Sequence, residues 1–492
     1  MLDRLTHRGP DGQGTHALEH AWLGHQRLAI VDPERGTQPL HDVDGKYWLV
    51  GDGEVYNHRR LRRGLEEKGH VFRSDSDHET VLHLVEEDGL AALPQLWGMF
   101  AFVAATTDGR FAAARDIIGL APLYWVRDGD TVVFASELKA FDPPHRKSVE
   151  PFPPGHVWTP TDGLQPFGEL PSAADTATSF AQYDVEEDPP EEVLTQIRET
   201  LIASVKRSMA ADVPVGALLS GGIDSSIVTA IAATEAKKQG WRLPTFSAGL
   251  ADSEDLAAAR RVAALYSTAH EERIYTEDEL IDWVPEVIRV IESFDPTLVH
   301  SSVPNLLVAK LAARSVKVVL IGEGADELFA GYAYYRDFDS HTELHDELVA
   351  TLEGLHIGGL QRVDRVTGSN SLEARTPFLD VEMVELGLGL PAQWKLSNGD
   401  RLEKWLLRKA FDGWLPEDLL WRPKQQFGQG TGSRDVLRQH YEETVSEEEF
   451  NDSQHVLDPP PRTREELAYF RLFERELTGL DPGDVVGRFT EA

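Results

Sequence analysis

Short apolar runs broken by polar turns fill the first part of the chain. Residues 21–31, 47–51, 100–105 and 132–135 read as strands, and clusters such as Arg8-Gly-Pro-Asp-Gly12 read as turns between them. One stretch with helical periodicity, residues 77–87, lies among these strands. Residues 141–190 lose the pattern and are rich in Pro, Asp and Thr, so a linker is expected, its span taken as 156–190. From Glu191 onward helical patterns dominate, interrupted by apolar runs at 213–219, 245–249 and 316–321. Strands alternating with helices predict a parallel sheet covered on both faces. The expected organisation is therefore a domain over 1–155, a linker over 156–190 and an α/β domain over 191–492, with no internal repeat.

The second domain carries the sharper chemistry. Its first strand runs into Ser220-Gly-Gly-Ile-Asp-Ser-Ser226, and a helical pattern follows at once. Glycines at a strand-to-helix turn let backbone N–H groups and the helix N-terminus approach an anion, and Ser220, Ser225 and Ser226 add hydroxyl donors. The loop lacks the Gly-Lys-Ser/Thr ending of a Walker A loop, which argues against transfer of a terminal phosphate. The third run ends in Gly322-Glu-Gly-Ala-Asp-Glu327, where flanking glycines expose Glu323 at a sheet edge. Asp326, in the following turn, and Asp224 are candidate Mg²⁺ ligands. The small residues Ser247, Ala248 and Gly249 end the second run and would admit a flat ring.

Composition narrows the class. Of 492 residues, 48 are Lys or Arg and 83 are Asp or Glu, a formal net charge of −35, with Arg the commoner base. Such a charge opposes nucleic acid and anionic membranes as partners and resembles the surfaces of proteins from salt-loving organisms. With no cysteine, disulfides and thiolate chemistry are excluded within these residues. No signal or membrane-spanning segment is apparent, so a cytoplasmic location is expected.

Four motifs in order, Ser220–Ser226, Gly322–Glu327, Ser371-Leu-Glu-Ala-Arg-Thr-Pro-Phe-Leu-Asp380 and Trp421-Arg-Pro-Lys-Gln-Gln-Phe427, resemble those of the glutamine-hydrolysing asparagine synthetases. The resemblance implies an α/β fold. An α+β sandwich of the N-terminal-nucleophile type, incomplete here, would precede a helix-rich pyrophosphate-loop domain of the adenine nucleotide alpha hydrolase type. It further implies adenylation of the aspartate β-carboxylate by ATP with Mg²⁺, then amidation by ammonia. Leu219, Ser220, Gly221, Gly222, Asp224, Ser225, Ser226, Ala248, Ile321 and Gly322 would bind the nucleotide and its pyrophosphate. Lys424 would stabilise phosphate charge, and Glu323 would assist ammonia. Glu373, Arg375 and Asp380 read as bracing for the site wall. His300 stands where related sequences lead us to expect Arg, which weakens any hold there on a phosphate or carboxylate. The expected partners are aspartate, ATP and ammonia or glutamine, with a homodimer as the candidate assembly.

In the first domain, His7-Arg-Gly-Pro-Asp11, Gln26–Asp32, Gly51–Asn57 and Ser76-Asp77 resemble the glutaminase domain of the same family. The resemblance assigns Arg27, Asp52, Gly53, Glu54 and Asp77 to a glutamine pocket, Arg27 toward the α-carboxylate and Asp77 toward the α-amine. Two features depart from it. The family's N-terminal Cys nucleophile has no counterpart, and Asp52 replaces the Asn of the oxyanion hole, where a carboxylate opposes a developing negative charge. A start site placed too far downstream and a decayed glutaminase that leaves the enzyme to free ammonia both fit these facts. The rival functions are another amide-forming ligase of the fold, such as a β-lactam synthetase, and a non-catalytic regulator that binds nucleotide or aspartate. Glu323 argues against the first, because those enzymes carry Tyr at that turn.

Overall fold

A computed structural model describes residues 1–176, 179–185, 187–338, 340–397, 401–423 and 433–489. Two compact units emerge. The first comprises Met1–Leu170, Ala210–Pro214 and Gly368–Glu373, and the second Pro171–Met209, Val215–Thr367 and Ala374–Ala492. The linker expected over 156–190 does not exist as such. His156–Thr159 and Gly163–Pro166 are strands of the first unit's main sheet, and Ala173–Thr176 is a helical turn of the second unit. Val157 and Trp158 are both buried there, so proline-rich composition marked turns between strands rather than a loose tether.

The first unit is built on a six-stranded sheet. In spatial order its strands are Gly163–Pro166, His156–Thr159, Phe111–Arg115, Gly98–Thr106, Tyr47–Val55 and Leu40–His41, and all the described pairings are antiparallel. Strand Gly98–Thr106 shows how its two faces are filled. Phe100, Phe102 and Ala104 join one apolar cluster with Val81, Leu82 and Leu84 of the helix Asp77–Asp88. Ala101 points the other way, toward Trp125, Phe152 and Trp158. A period of two with both sets apolar is what a sheet buried on both faces requires.

In the second unit five strands lie in the order Ala269–Ile274, Pro244–Gly249, Val215–Leu218, Val318–Leu320 and Glu373–Arg375. The first four pair in parallel, with Ala217 opposite both Thr245 and Leu320. The chain moves outward in one direction from Val215–Leu218 and later returns on its other side with Val318–Leu320. The sheet therefore has a topological switch point between these two strands, where ligands of open α/β sheets bind. The edge strand Ala269–Ile274 escaped the sequence reading because Ala-His-Glu-Glu-Arg-Ile offers no apolar run and half of it stays exposed. Among the described residues no helix is long and apolar enough to cross a membrane.

Candidate functional site

Strand Val215–Leu218 delivers Leu219 and the loop Ser220–Gly222 to the switch point, and helix Ile223–Lys238 begins directly after. The loop is held by its own serines. The Ser220 and Ser225 hydroxyls lie 2.9 Å apart, the Ser225 hydroxyl accepts the Ser220 N–H at 3.2 Å, and the Ser220 hydroxyl accepts the Gly222 N–H at 3.3 Å. Gly221 has φ +82°, and a Cβ there would meet the Asp255 carbonyl oxygen at 2.5 Å, so both conformation and space demand glycine. Ser226 is buried on the helix beneath.

The second arm of the site is packed against the first. A Cβ at Gly322 would meet the Asp224 Cβ and the Ser225 backbone nitrogen, each at 2.8 Å, so this glycine lets the two strand ends touch. Ile321 donates its N–H to the Arg375 carbonyl at 3.0 Å. A cavity of about 810 Å³ opens at this junction, lined by Leu219, Ser220–Ser225, Ala248, Ile321, Gly322 and Glu323, and continuing past Tyr332, Arg362 and Phe489. Every nucleotide-site residue expected from sequence lines it except Ser226.

Electrostatics add what the motifs had not signalled. Lys404, only 1% exposed, extends its ammonium between Asp224 and Asp326, 2.5 Å from one carboxylate and 2.7 Å from the other. Burial disfavours that charge, but the two carboxylates outweigh it and hold the Lys404 pKa above its ordinary value. The expected Mg²⁺ ligands are thus brought together, around a cationic side chain. Glu323 receives a two-pronged contact from Arg362 Nη2, at 2.8 and 2.9 Å, while Arg362 Nη1 donates to the Ser301 hydroxyl at 2.9 Å. Glu327 is buried behind Glu323, and Tyr332 donates to it at 2.7 Å. Burial, with the charges of Asp326 and Glu323 adding to it, raises the Glu327 carboxyl to about 7.

His300 lines the cavity but is engaged, its Nε2 lying 2.6 Å from the Glu465 carboxylate. The expected bracing of the wall includes an ion pair from Asp380. Asp380 pairs with Arg207 at 2.7 Å, and buried Arg375 donates to the Ser208 carbonyl at 3.1 Å, so both anchor helix Glu191–Ser208. Lys424 lies outside the described residues. Lys404 and Arg362 were missed because the groups they meet, Asp224 and Asp326 for one and Glu323 for the other, lie far from them along the chain. The one available signal for Lys404 was a lysine in a lysine-poor chain just before the apolar run of helix Trp405–Ala410.

In the first unit the expected glutamine-pocket residues lie on adjoining elements. Asp52, Gly53 and Glu54 follow one another on strand Tyr47–Val55, and Gly53 has φ +99° with the Met99 carbonyl 2.1 Å from where a Cβ would stand. Asp77 accepts the Val55 N–H at 2.7 Å and faces His78 Nδ1 at 3.2 Å. Burial acts to raise its pKa, but the His78 contact and the backbone N–H prevail and lower it to about 2. Arg27 donates to the carbonyls of Pro33 and Asp32 at 2.8 and 2.7 Å, pinning the loop whose Asp32 carboxylate accepts the Asp75 N–H at 2.7 Å. Asp52 pairs with Arg8 at 2.8 Å, and Arg8 also reaches the fully buried Glu137 at 3.1 Å.

Asp77 supplies a pH prediction. Its folded pKa lies below its unfolded one, so its contribution of about 2 kcal/mol is complete above pH 3.8 and disappears as the pH falls through 2. Asp77→Asn is expected to lose that amount at neutral pH and to flatten the acid limb of an unfolding profile; an unchanged limb would refute the assignment.

Comparison with known proteins finds relatives over nearly the whole chain. The family model described as asparagine synthase matches residues 196–340 and 336–478, and that described as glutamine amidotransferase domain matches residues 1–152. Asparagine synthetase [glutamine-hydrolyzing] 3 of Arabidopsis thaliana is 39% identical, covering 96% of this chain and 83% of that protein. A probable asparagine synthetase [glutamine-hydrolyzing] of Schizosaccharomyces pombe is also 39% identical, with 96% and 89% covered. Among solved structures, the glutamine phosphoribosylpyrophosphate amidotransferase of B. subtilis complexed with ADP and GMP aligns at 23% identity with a TM-score of 0.29. It covers 50% of this chain and 61% of that one, too remote a likeness to carry weight.

Proposed function

Because this chain belongs to the family of glutamine-hydrolysing asparagine synthetases, we infer that it is a carbon–nitrogen ligase making asparagine from aspartate with ATP. The aspartate β-carboxylate attacks the α-phosphorus and pyrophosphate leaves. Ammonia then adds to the acyl carbon of β-aspartyl-AMP and expels AMP. The observation that carries this reading is the meeting of the Ser220–Ser226 loop and Glu323 at one switch point, through the Gly322–Asp224 contact. Loop N–H groups and serine hydroxyls suit the phosphates. Leu219, Ala248 and Ile321 suit the adenine. Lys424 is assigned to phosphate charge and Glu323 to the proton that ammonia must lose.

Asp224 and Asp326 fit Mg²⁺ in chemistry, since both are hard oxygen donors already gathered about one positive charge. Mg²⁺ bound there would neutralise phosphate charge. Lys404 holds the two carboxylates at a common point before any substrate arrives, and Arg362 fixes the direction of Glu323. On the first unit, Arg27, Asp52, Gly53, Glu54 and Asp77 are assigned to a glutamine pocket, in which the Arg8–Asp52 pair offsets the negative charge at the oxyanion position.

Asparagine formation from Mg-ATP and aspartate, run with ammonium and then with glutamine, tests the reading. Product with ammonium alone fits 492 residues that hold no cysteine. Product with glutamine would require a route this reading lacks. Failure of aspartate-dependent ATP–pyrophosphate exchange in folded protein would favour a different acceptor or a regulator. The charge of −35 adds a prediction about salt. Raising KCl from 0.1 to 1 M shortens the screening length from about 10 to about 3 Å, so the melting temperature should climb by several degrees. A flat or falling value would remove the halophilic reading.

A further inference from the structure

We propose that the first unit carries a transition-metal site, of the kind that takes Zn²⁺, formed by His70, His83 and Glu86. One ligand atom from each lies within 4.8 Å of the other two. Glu86 Oε2 stands 2.9 Å from His83 Nδ1 and 3.4 Å from His70 Nδ1, so both imidazoles turn the same nitrogen toward one carboxylate oxygen. Two imidazoles and a carboxylate are a familiar Zn²⁺ donor set, and ligands bound to a tetrahedral ion at about 2.0–2.2 Å stand roughly 3.3–3.6 Å from one another, close to the separations of Glu86 Oε2 from the two histidines.

The outward nitrogens strengthen the assignment. His70 Nε2 lies 2.9 Å from Glu87, and His83 Nε2 lies 3.7 Å from Glu79. A metal-bound histidine commonly gives its other N–H to a carboxylate, which fixes the tautomer and raises ligand basicity. His70 has this arrangement, with Glu86 inward and Glu87 outward, whereas Glu79 stands beyond hydrogen-bond range of the outward nitrogen of His83. His83 Nε2 is itself buried and makes no hydrogen bond within ordinary range. The supports are rigid. His83 and Glu86 are three residues apart on one face of helix Asp77–Asp88. The His70 N–H donates to the Leu65 carbonyl at 3.1 Å, closing the end of helix His58–Glu67, and Phe72 packs edge-on to the His83 ring.

The competing occupant is a proton. Burial disfavours a charged His83, yet Glu79 and Glu86 raise its pKa above the ordinary value, so an ion-paired imidazolium would fill the same space. The experiment separates the two. Chelator-stripped protein of these 492 residues is titrated with Zn²⁺ alone by calorimetry, and with Co²⁺ to read visible d–d absorption. One Zn²⁺ per chain is expected, with a tetrahedral Co²⁺ spectrum. Affinity should fall at least 100-fold in His70→Ala and Glu86→Gln and about 10-fold in Glu87→Gln. Ammonium-dependent asparagine formation should be unchanged in all three, which also reports that they fold. Absence of stoichiometric uptake by the parent protein, or equal uptake by His70→Ala, would overturn the site and leave the ion-pair network in its place.

Discussion

Lys404→Met is expected to stop adenylation and to weaken the fold of the second unit together. The ammonium sits 2.5 Å from Asp224 and 2.7 Å from Asp326 on a residue 1% exposed. Methionine fills similar volume but leaves the two carboxylates facing each other without that charge between them. Breaking a buried ion pair from one side costs about 3–5 kcal/mol. The consequence is local as well as global. Asp224 lies in the first turn of the helix that follows the Ser220–Gly222 loop, and Asp326 follows Glu323 by three residues, so repulsion between them separates the two arms of the site. ATP–pyrophosphate exchange should fall by roughly 10²–10³, the range for loss of one preorganised charge contact. A stability measurement in rising Mg²⁺ tells a positioning role from a merely space-filling one. The variant should regain melting temperature as a dication replaces the ammonium between the carboxylates, while the parent protein responds little. Exchange at the parent rate, or a variant indifferent to Mg²⁺, would refute the role.

Glu323→Gln should divide the reaction at its midpoint. Asparagine formation with ammonium is expected to drop about 10²–10⁴-fold, as when a general base is removed, while aspartate-dependent exchange of pyrophosphate into ATP persists. Glutamine keeps the shape and can still accept one contact from Arg362, but it cannot take a proton. Folding should survive, because the Glu323–Arg362 pair is partly solvated, with side-chain exposures of 22% and 15%. Arg362→Ala separates chemistry from positioning. It leaves the base in place but unguided, so the loss should be smaller and the pH profile should move. An equal fall in exchange for Glu323→Gln would reassign Glu323 to adenylation, and undiminished asparagine formation would remove it from the site.

How far the chain could be read in advance follows from where its information is local. Loop Ser220–Ser226 was legible because a strand, two glycines and a helix start must be contiguous to make an anion cradle, and contiguity is visible in sequence. Gly322-Glu-Gly324 was legible for the same reason. Strands with apolar runs, such as Gly98–Thr106 and Pro244–Gly249, stood out, whereas the polar edge strand Ala269–Ile274 did not, because an exposed edge needs no apolar side chains. The proline-rich stretch misled in the other direction: composition reports turns, and only pairing of His156–Thr159 with Phe111–Arg115 reveals a sheet.

What the sequence alone determined was the family, the order of the two chemical halves and the glycine-bounded motifs, since each depends on neighbouring residues and backbone freedom. What only the tertiary structure decided was which charges meet. Lys404 stands 180 residues from Asp224, Arg362 stands 39 from Glu323, and Arg8 stands 44 from Asp52. Whether a charge among 83 acidic and 48 basic residues is solvated or committed depends on burial and on a partner within about 3 Å, and both are set by folding rather than by spacing along the chain.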